Sequence, residues 1–532
     1  MTSFTNRIRS GPAGRIALVL AGVLLVAIVL LVRSGGSSGA GEAPLGQAPP
    51  EWAANAGAWP AHNHDLANTR ATTQTPINSQ NVSQLKVKWT FPFKAASAFG
   101  VFSSTPISLN GTVYLQDLSS NVYALDRATG ALKWQHTFNR PSVGPNGVAY
   151  GYGRIYGATE SEAFALDAQT GKLLWSRKLI RNRNEGIDIT PQVFDNTVVV
   201  STIPGNTKSF YKGNGDGIVW ALDAASGRPK WKFNTVSDGS KLWGNPKVNS
   251  GGGLWYPPAV DSQGRVFISV ANPAPLYGTK KFPNGSSRPG PNRYTNSIVA
   301  LNGQTGKKIW FRQTLRHDVR DYDLQVPAIL TTLPVKGVQT EVAIVAGKWG
   351  KVFAYRAADG KHLWTRSVGK HKNDTGRLPR KFEEVFPGDL GGVETPMALA
   401  SNRVFVPWLD LAVRARSTGL QGGLAGQSPN YVKGRGGLTA IDAATGKVAW
   451  QQKLPSMNFG AATVANDVVF TSTYAGTIYA FDTQSGKTLW TTKAPAGINS
   501  FPAIDGDTLL VGASTSGFDK SPKFELIAYS LP

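Results

Sequence analysis

The 532-residue chain contains no cysteine at all. That excludes disulfides, thiolate metal centres, a C-x-x-C-H haem attachment and a cysteine nucleophile. Histidine is scarce, and the six present (His62, His64, His136, His317, His362, His371) lack the spacing of a transition-metal site. No P-loop, dinucleotide fingerprint or metalloprotease helix occurs. Helical periodicity over ten or more residues is almost absent beyond residue 50. Acidic residues are outnumbered, 33 Asp and Glu against 56 Lys and Arg, for a formal net charge of +23. Such a surface is solubilising and is drawn to anionic lipid or wall polymers. Nucleic acid is not expected as a partner, because no recognition motif accompanies the charge.

What the chain has in abundance is repetition. One phrase returns seven times: a short apolar strand, usually Asp, a Gly turn, then Trp four residues after the Gly. It reads ALDRATGALKW (Ala124–Trp134), ALDAQTGKLLW (Ala165–Trp175), ALDAASGRPKW (Ala221–Trp231) and ALNGQTGKKIW (Ala300–Trp310). It continues as AYRAADGKHLW (Ala354–Trp364), AIDAATGKVAW (Ala440–Trp450) and AFDTQSGKTLW (Ala480–Trp490). The Asp carboxylate can accept hydrogen bonds from the turn N–H groups, and the Gly supplies the positive φ of a short hairpin. The Trp on the returning strand is suited to pack beside the next unit. The shortest Trp-to-Trp spacings are 41 residues (Trp134 to Trp175) and 40 residues (Trp450 to Trp490), enough for a four-stranded blade. The spacing predicts an all-β fold, an eight-bladed β-propeller of four-stranded antiparallel blades. The eighth blade is expected to be split. Leu85–Phe91 reads as an outer strand with Trp89 but no preceding turn, and Glu525–Pro532 reads as an inner strand that stops before one. Pairing them closes the ring and removes two sheet edges.

The N-terminus differs. Ile16–Val32 is an unbroken run of apolar residues and Gly, preceded by Arg7, Arg9 and Arg15. The run is short for a spanning helix and long for a signal-peptide core. The expected organisation is a cytoplasmic N-terminus (1–15), an N-terminal transmembrane helix (16–33), a flexible Gly/Ser/Pro linker (34–55) and the propeller (56–532) outside the cytoplasmic membrane. Cleavage of the run would make the protein secreted instead.

The repeats resemble those of the pyrroloquinoline-quinone (PQQ) propeller family, which holds quinoprotein alcohol and sugar dehydrogenases and also non-catalytic scaffolds. Ordered segments are most similar to the dehydrogenases. They are Trp59-Pro60 with HDLANTR (His64–Arg70), NGVAYGYGRIYGAT (Asn146–Thr159), GGGLWYPPAVDSQGRVFISVANPAP (Gly251–Pro275), RHDVRDYDL (Arg316–Leu324) and AGKWGKVFAY (Ala346–Tyr355). The resemblance implies a PQQ cofactor with calcium or a lanthanide, a small alcohol or sugar as substrate, and a separate electron acceptor.

Carried over residue by residue, the resemblance implies that Trp255 is the floor under the quinone and Lys348 a cation contacting it. It implies Asn272, Asp321 and Asp323 as metal ligands and Asp321 as the catalytic base. The residue types suit those tasks: a flat apolar floor, hard oxygen ligands, and a carboxylate to take a hydroxyl proton. The bland alternatives are blade packing for Trp255, a turn before Pro273 for Asn272, a solvated lysine for Lys348, and a surface loop pairing Asp318, Asp321 and Asp323 with Arg316 and Arg320. Departures from the family pattern stand at Ser103, Asn146 and Arg320. The segment STIPGNTKSFYKGNGDG (Ser201–Gly217) lacks the Glu expected as a metal ligand, leaving Asp216 as its only acid. Glu394 in GGVETPMALA is a further pocket candidate. These departures keep open a non-catalytic PQQ-like propeller serving as a cell-surface binding or assembly scaffold, and a sensor or wall-binding module using its basic face.

Overall fold

A computed structural model describes residues 45–94, 100–209, 211–422 and 431–532. The segments 1–15 and 16–33, and residues 34–44 of the linker, lie outside the described residues. Among the described residues, no helix is long and apolar enough to cross a membrane.

Residues Gly46–Pro532 form one compact unit of propeller-like all-β structure. Seven sheets have four strands, each antiparallel to the next, and an eighth has four such strands plus a fifth, Ala71–Thr72, which runs parallel to Thr463–Ala465. In one of them Ile107–Leu109, Thr112–Gln116, Val122–Asp126 and Leu132–His136 follow one another. The first three strands of a sheet are mostly buried, and the fourth alternates exposed and half-buried residues. This is the pattern of a sheet whose outer edge meets solvent. The last and first parts of the chain share a sheet: Lys86–Pro92 pairs antiparallel with Glu525–Ser530, Trp89 opposite Ala528. The strand Glu525–Ser530 pairs on its other side with Thr508–Ala513.

The repeated phrase has a physical account. The Asp126 carboxylate accepts from the N–H groups of Ala128 and Thr129 and from the Thr129 hydroxyl, each at 3.0 Å. Those bonds favour the charged form and hold the carboxyl below its ordinary range. The Trp of one sheet reaches the turn of the next. Trp364 Nε1 donates to the Ala443 carbonyl at 2.9 Å, and a Cβ on Gly446 would lie 2.7 Å from Trp364 Cδ2. The same pairing joins Trp89 to Arg127 and Gly130, Trp134 to Ala168 and Gly171, and Trp450 to Thr483 and Gly486. The Gly is therefore required twice, for its positive φ and for the indole that lies against it.

The HDLANTR stretch has a separate role. The carbonyls of Leu66, Ala67, Thr69 and Arg70 accept from Val260, Leu330, Leu399 and Val464, which lie on the first strands of four successive sheets. Backbone groups left over at those strand edges are satisfied by this one segment. The Arg70 guanidinium is fully buried and donates to the carbonyls of His62, Ala462 and Pro502 and to the Thr463 hydroxyl. Within the 34–55 stretch, the backbone N–H groups of Gly46 and Gln47 donate to the Asp195 carboxylate, and Trp52 Nε1 donates to Tyr150 O.

Candidate active site

A cavity of about 780 Å³ opens in the unit and is lined from widely separated parts of the chain. Trp255, Asp321, Asp323 and Lys348 all line it, as do Ser103 and Glu394. Trp255 packs with Tyr256, Ala461 and Phe501. Beneath this aromatic side, the Arg70 guanidinium lies 5.9 Å from the Phe501 ring centroid and 5.6 Å from that of Trp59. The N-terminal segment thereby supports the cavity as well as the sheet edges.

The charged centre is compact. Lys348 Nζ lies 3.1 Å from Asp321 Oδ2 and 2.9 Å from Asp323 Oδ2, all three side chains being buried. Asn272 stands behind them: its backbone N–H donates to Asp323 Oδ1 and its Nδ2 to Asp321 Oδ1, both at 2.7 Å. Two residues apart, Asp321 and Asp323 would face one side of an extended strand; they lie in a loop, and Asp321 has a φ of 64°, a left-handed conformation uncommon outside Gly. Held strain of this kind concentrates at functional sites.

Two carboxylates share one ammonium, so a negative charge is in excess in a desolvated place. Burial pushes the Asp321 carboxyl well above its ordinary range; Lys348 pulls it back, and Asp323 and Asp389 push it further. Burial disfavours the Lys348 charge, but Asp321 and Asp323 outweigh it and hold the ammonium above its usual range. Glu394 is raised to about 7, first by burial. Its Oε2 accepts from Gln325 Nε2 at 2.5 Å, and its Oε1 is buried without a hydrogen-bond partner.

Asn272, Asp321 and Asp323 are hard oxygen donors of the kind a calcium or lanthanide ion takes, and the Lys348 ammonium is the cation that the two carboxylates already share. Asn272 Oδ1 is buried and has no hydrogen-bond partner. Turning this amide over would bring its oxygen towards Asp321, an arrangement that repels unless a cation lies between the two oxygens. The protein ligands would be few. Among the described residues, no three Asp, Glu or His side chains gather around a common metal position. Asp216 does not supply the missing carboxylate: it is bound by Arg181 and Asn234 and does not line the cavity.

The other divergent positions are accounted for individually. Ser103 Oγ donates to Gly144 O at 2.9 Å on the cavity wall. Asn146 is buried, donates to Ile187 O at 3.0 Å, and is not part of the lining. Arg320 donates to the carbonyls of Asn373, Thr375 and Gly376 and also lies outside the lining. Asp318 is a loop brace, accepting from the N–H groups of Arg320 and Tyr322 and from Asn296. The cavity also contains residues that sequence reasoning missed, among them Asp389, Gln325, Lys208 and Lys212. None belongs to a spacing pattern. The two lysines lie in Ser201–Gly217, the segment that lacks a Glu.

The sequence model of the PQQ family described as "Glucose/ethanol/alcohol dehydrogenase, beta-propeller domain" matches residues 59–373, more than half of the chain. The chain belongs to the PQQ β-propeller family. A second repeat model, described as "Outer membrane protein assembly factor BamB", matches residues 408–528. This PQQ propeller is 27% identical to the quinohemoprotein alcohol dehydrogenase of Comamonas testosteroni, over 84% of the chain and 71% of that protein. It is 26% identical to the lanthanide-dependent methanol dehydrogenase of Methylacidiphilum fumariolicum, over 84% of the chain and 82% of that protein. The solved quinohemoprotein alcohol dehydrogenase ADHIIG of Pseudomonas putida superposes with a TM-score of 0.78 at 23% identity, covering 92% of this chain and 83% of that one, a likeness of fold.

Proposed function

We propose that this protein is a quinoprotein dehydrogenase that oxidises an alcohol or sugar with PQQ and a metal ion and passes the electrons to a separate acceptor. The observation that carries the proposal is the gathering of Asp321, Asp323 and Lys348 on the wall of a cavity that Trp255 also lines, large enough for cofactor and substrate, with Asn272 outside the lining but hydrogen-bonded to both carboxylates. Bound PQQ would supply the hydride acceptor, with a calcium or lanthanide ion held by Asn272, Asp321 and Asp323. Asp321 takes the substrate hydroxyl proton at a carboxylate oxygen. It does so in its ionised form, which burial disfavours even with Lys348 beside it and which the charge of a bound metal ion would favour. Lys348 offers a positive charge where negative charge develops on an oxygen. Trp255 gives a flat apolar face and, with Tyr256 and Phe501, keeps water from one side of the ligand.

The test is reconstitution. Purified protein is titrated with PQQ, with calcium, lanthanum or no metal, and followed by quinone absorbance. Turnover is then measured on primary alcohols and aldoses with an artificial acceptor. Saturable, metal-dependent binding with turnover is expected, and no binding under any metal would overturn the reading. A non-catalytic scaffold is the second reading. It is favoured by Asn146 and Arg320 lying outside the cavity and by Asp216 being committed to Arg181.

The architecture and placement belong to the same proposal. The eight sheets are read as eight blades of one closed ring, supported by the Trp-to-turn contacts between successive sheets and by the pairing of Lys86–Pro92 with Glu525–Ser530. Residues 16–33 are read as a membrane anchor with the propeller outside, supported by the apolar run and the arginines before it. Protease added to cells with an intact cytoplasmic membrane should digest the propeller; full protection would reverse the orientation.

A further inference from the structure

The charges of the cavity are separated. Asp321, Asp323, Asp389 and Glu394 line it as buried groups. Among the described lining residues only Lys208, Lys212 and Lys348 are cationic. Lys348 is engaged by Asp321 and Asp323. Lys208 and Lys212 are exposed and stand on the loop that precedes Gly215–Asp216. The acids near this loop are committed elsewhere: Glu185 and Asp216 pair with Arg181, and Glu160 accepts from the Thr207 hydroxyl at 2.8 Å. The cavity therefore has an acidic buried part and a basic outer wall. An anionic group entering it finds Lys348 already engaged and meets its remaining cationic partners on that outer wall.

We infer that Lys208 and Lys212 form a carboxylate clamp for the ligand of this cavity, rather than being two incidental surface lysines. The inference rests on the quinoprotein reading for the identity of that ligand. PQQ is an aromatic quinone bearing three carboxylates, and a tricarboxylate bound beside four buried acids needs cationic partners. Arg320 does not line the cavity and cannot provide one, and Asn146 is uncharged and also outside the lining. The ammonium groups act as point charges, so the clamp tolerates some variation in the carboxylate's position. They are exposed, so their attraction is screened by salt. The same chemistry would receive the carboxylate of an acidic substrate, such as a hydroxy acid, and the test separates the two sources.

The full chain and its Lys208→Gln/Lys212→Gln variant are titrated with PQQ in the presence of calcium at low and high salt. The clamp predicts that the variant binds PQQ about tenfold more weakly or worse at low salt, a change equivalent to about 1.4 kcal/mol. It also predicts that the variant loses much of the salt dependence. Lys487→Gln/Lys493→Gln, which removes the same charge from the strand Thr488–Lys493 and the turn before it, should bind as the wild type does. If PQQ affinity is unchanged but KM for glycerate rises relative to KM for a neutral alcohol, the clamp stands and its ligand is the substrate. If neither changes, the clamp is refuted. If the wild type binds no PQQ, the quinoprotein reading fails and benzene-1,3,5-tricarboxylate becomes the probe, by calorimetry. Binding that weakens in the variant then upholds the clamp, and equal binding or none in both proteins overturns it.

Discussion

Asp188 sits directly behind the cavity wall, where a Cβ on Gly144 would lie 2.3 Å from its own Cβ. It is fully buried, and its Oδ2 has no hydrogen-bond partner. Burial pushes its carboxyl from the ordinary 3.8 up to about 7, with the N–H groups of Val143 and Gly144 opposing and Glu160 adding to the rise. The folded protein thus holds this proton up to about pH 7, and the unfolded chain only up to about pH 4. Stability from this group is intact below pH 4, falls as pH rises through 7, and then levels off. The shift corresponds to an upper bound of about 4 kcal/mol. For a unit of roughly 490 residues the unfolding entropy is on the order of 1 kcal/mol/K, so the expected change in Tm is about 4 °C. Asp188→Asn has the shape of the neutral acid and cannot ionise. Its Tm should match the wild type at pH 4 within about 1 °C and exceed it by about 2–4 °C at pH 8. The assay is thermal unfolding of both proteins across that range at one scan rate. Glu394 titrates in the same window in both proteins and cancels in the difference. A Tm difference that does not change between pH 4 and pH 8 would refute a buried titrating carboxyl at this position.

Asp321→Asn should lower turnover by roughly 10²–10⁴-fold while PQQ titration remains largely intact, because the base is lost and the aromatic floor is not. Trp255→Ala should weaken PQQ binding by about 1–3 kcal/mol, read from the same titration; an unchanged affinity would remove Trp255 from the cofactor floor. Gly446→Ala should cost about 2–4 kcal/mol, combining a left-handed backbone with a methyl forced against Trp364, whereas Gly111→Ala, with φ +67° and nothing within 4 Å, should show the backbone part alone. Equal Tm losses in those two variants would discount the indole contact. Deleting Glu525–Pro532 removes the strand between Lys86–Pro92 and Thr508–Ala513 and opens two sheet edges, so the Tm should fall and aggregation rise; an unchanged Tm would count against closure of the ring there.

The repeated phrase was legible in the sequence because everything it needs is local or periodic. The Asp126 carboxylate binds N–H groups two and three residues on, and the Gly and Trp recur at fixed offsets from it. The split sheet was legible for the same reason, since Lys86–Pro92 and Glu525–Ser530 each carry half of one pattern. Candidate site residues could also be named from segments similar to a known family, and Trp255, Asp321, Asp323 and Lys348 line one cavity. What the sequence could not supply was their arrangement. Asp321 and Asp323 meet Lys348 through a loop with a left-handed residue, not through strand alternation. Arg320 turns away to the carbonyls of residues 373–376, and Asp216 is taken by Arg181, which removes both from the cavity. Lys208, Lys212, Asp389 and Asp188 lie in non-periodic connections, where no spacing relates a residue to its neighbours in space. Their surroundings come from chain segments up to hundreds of residues away, and burial, pKa and charge balance are properties of those surroundings. Only the tertiary structure decided them.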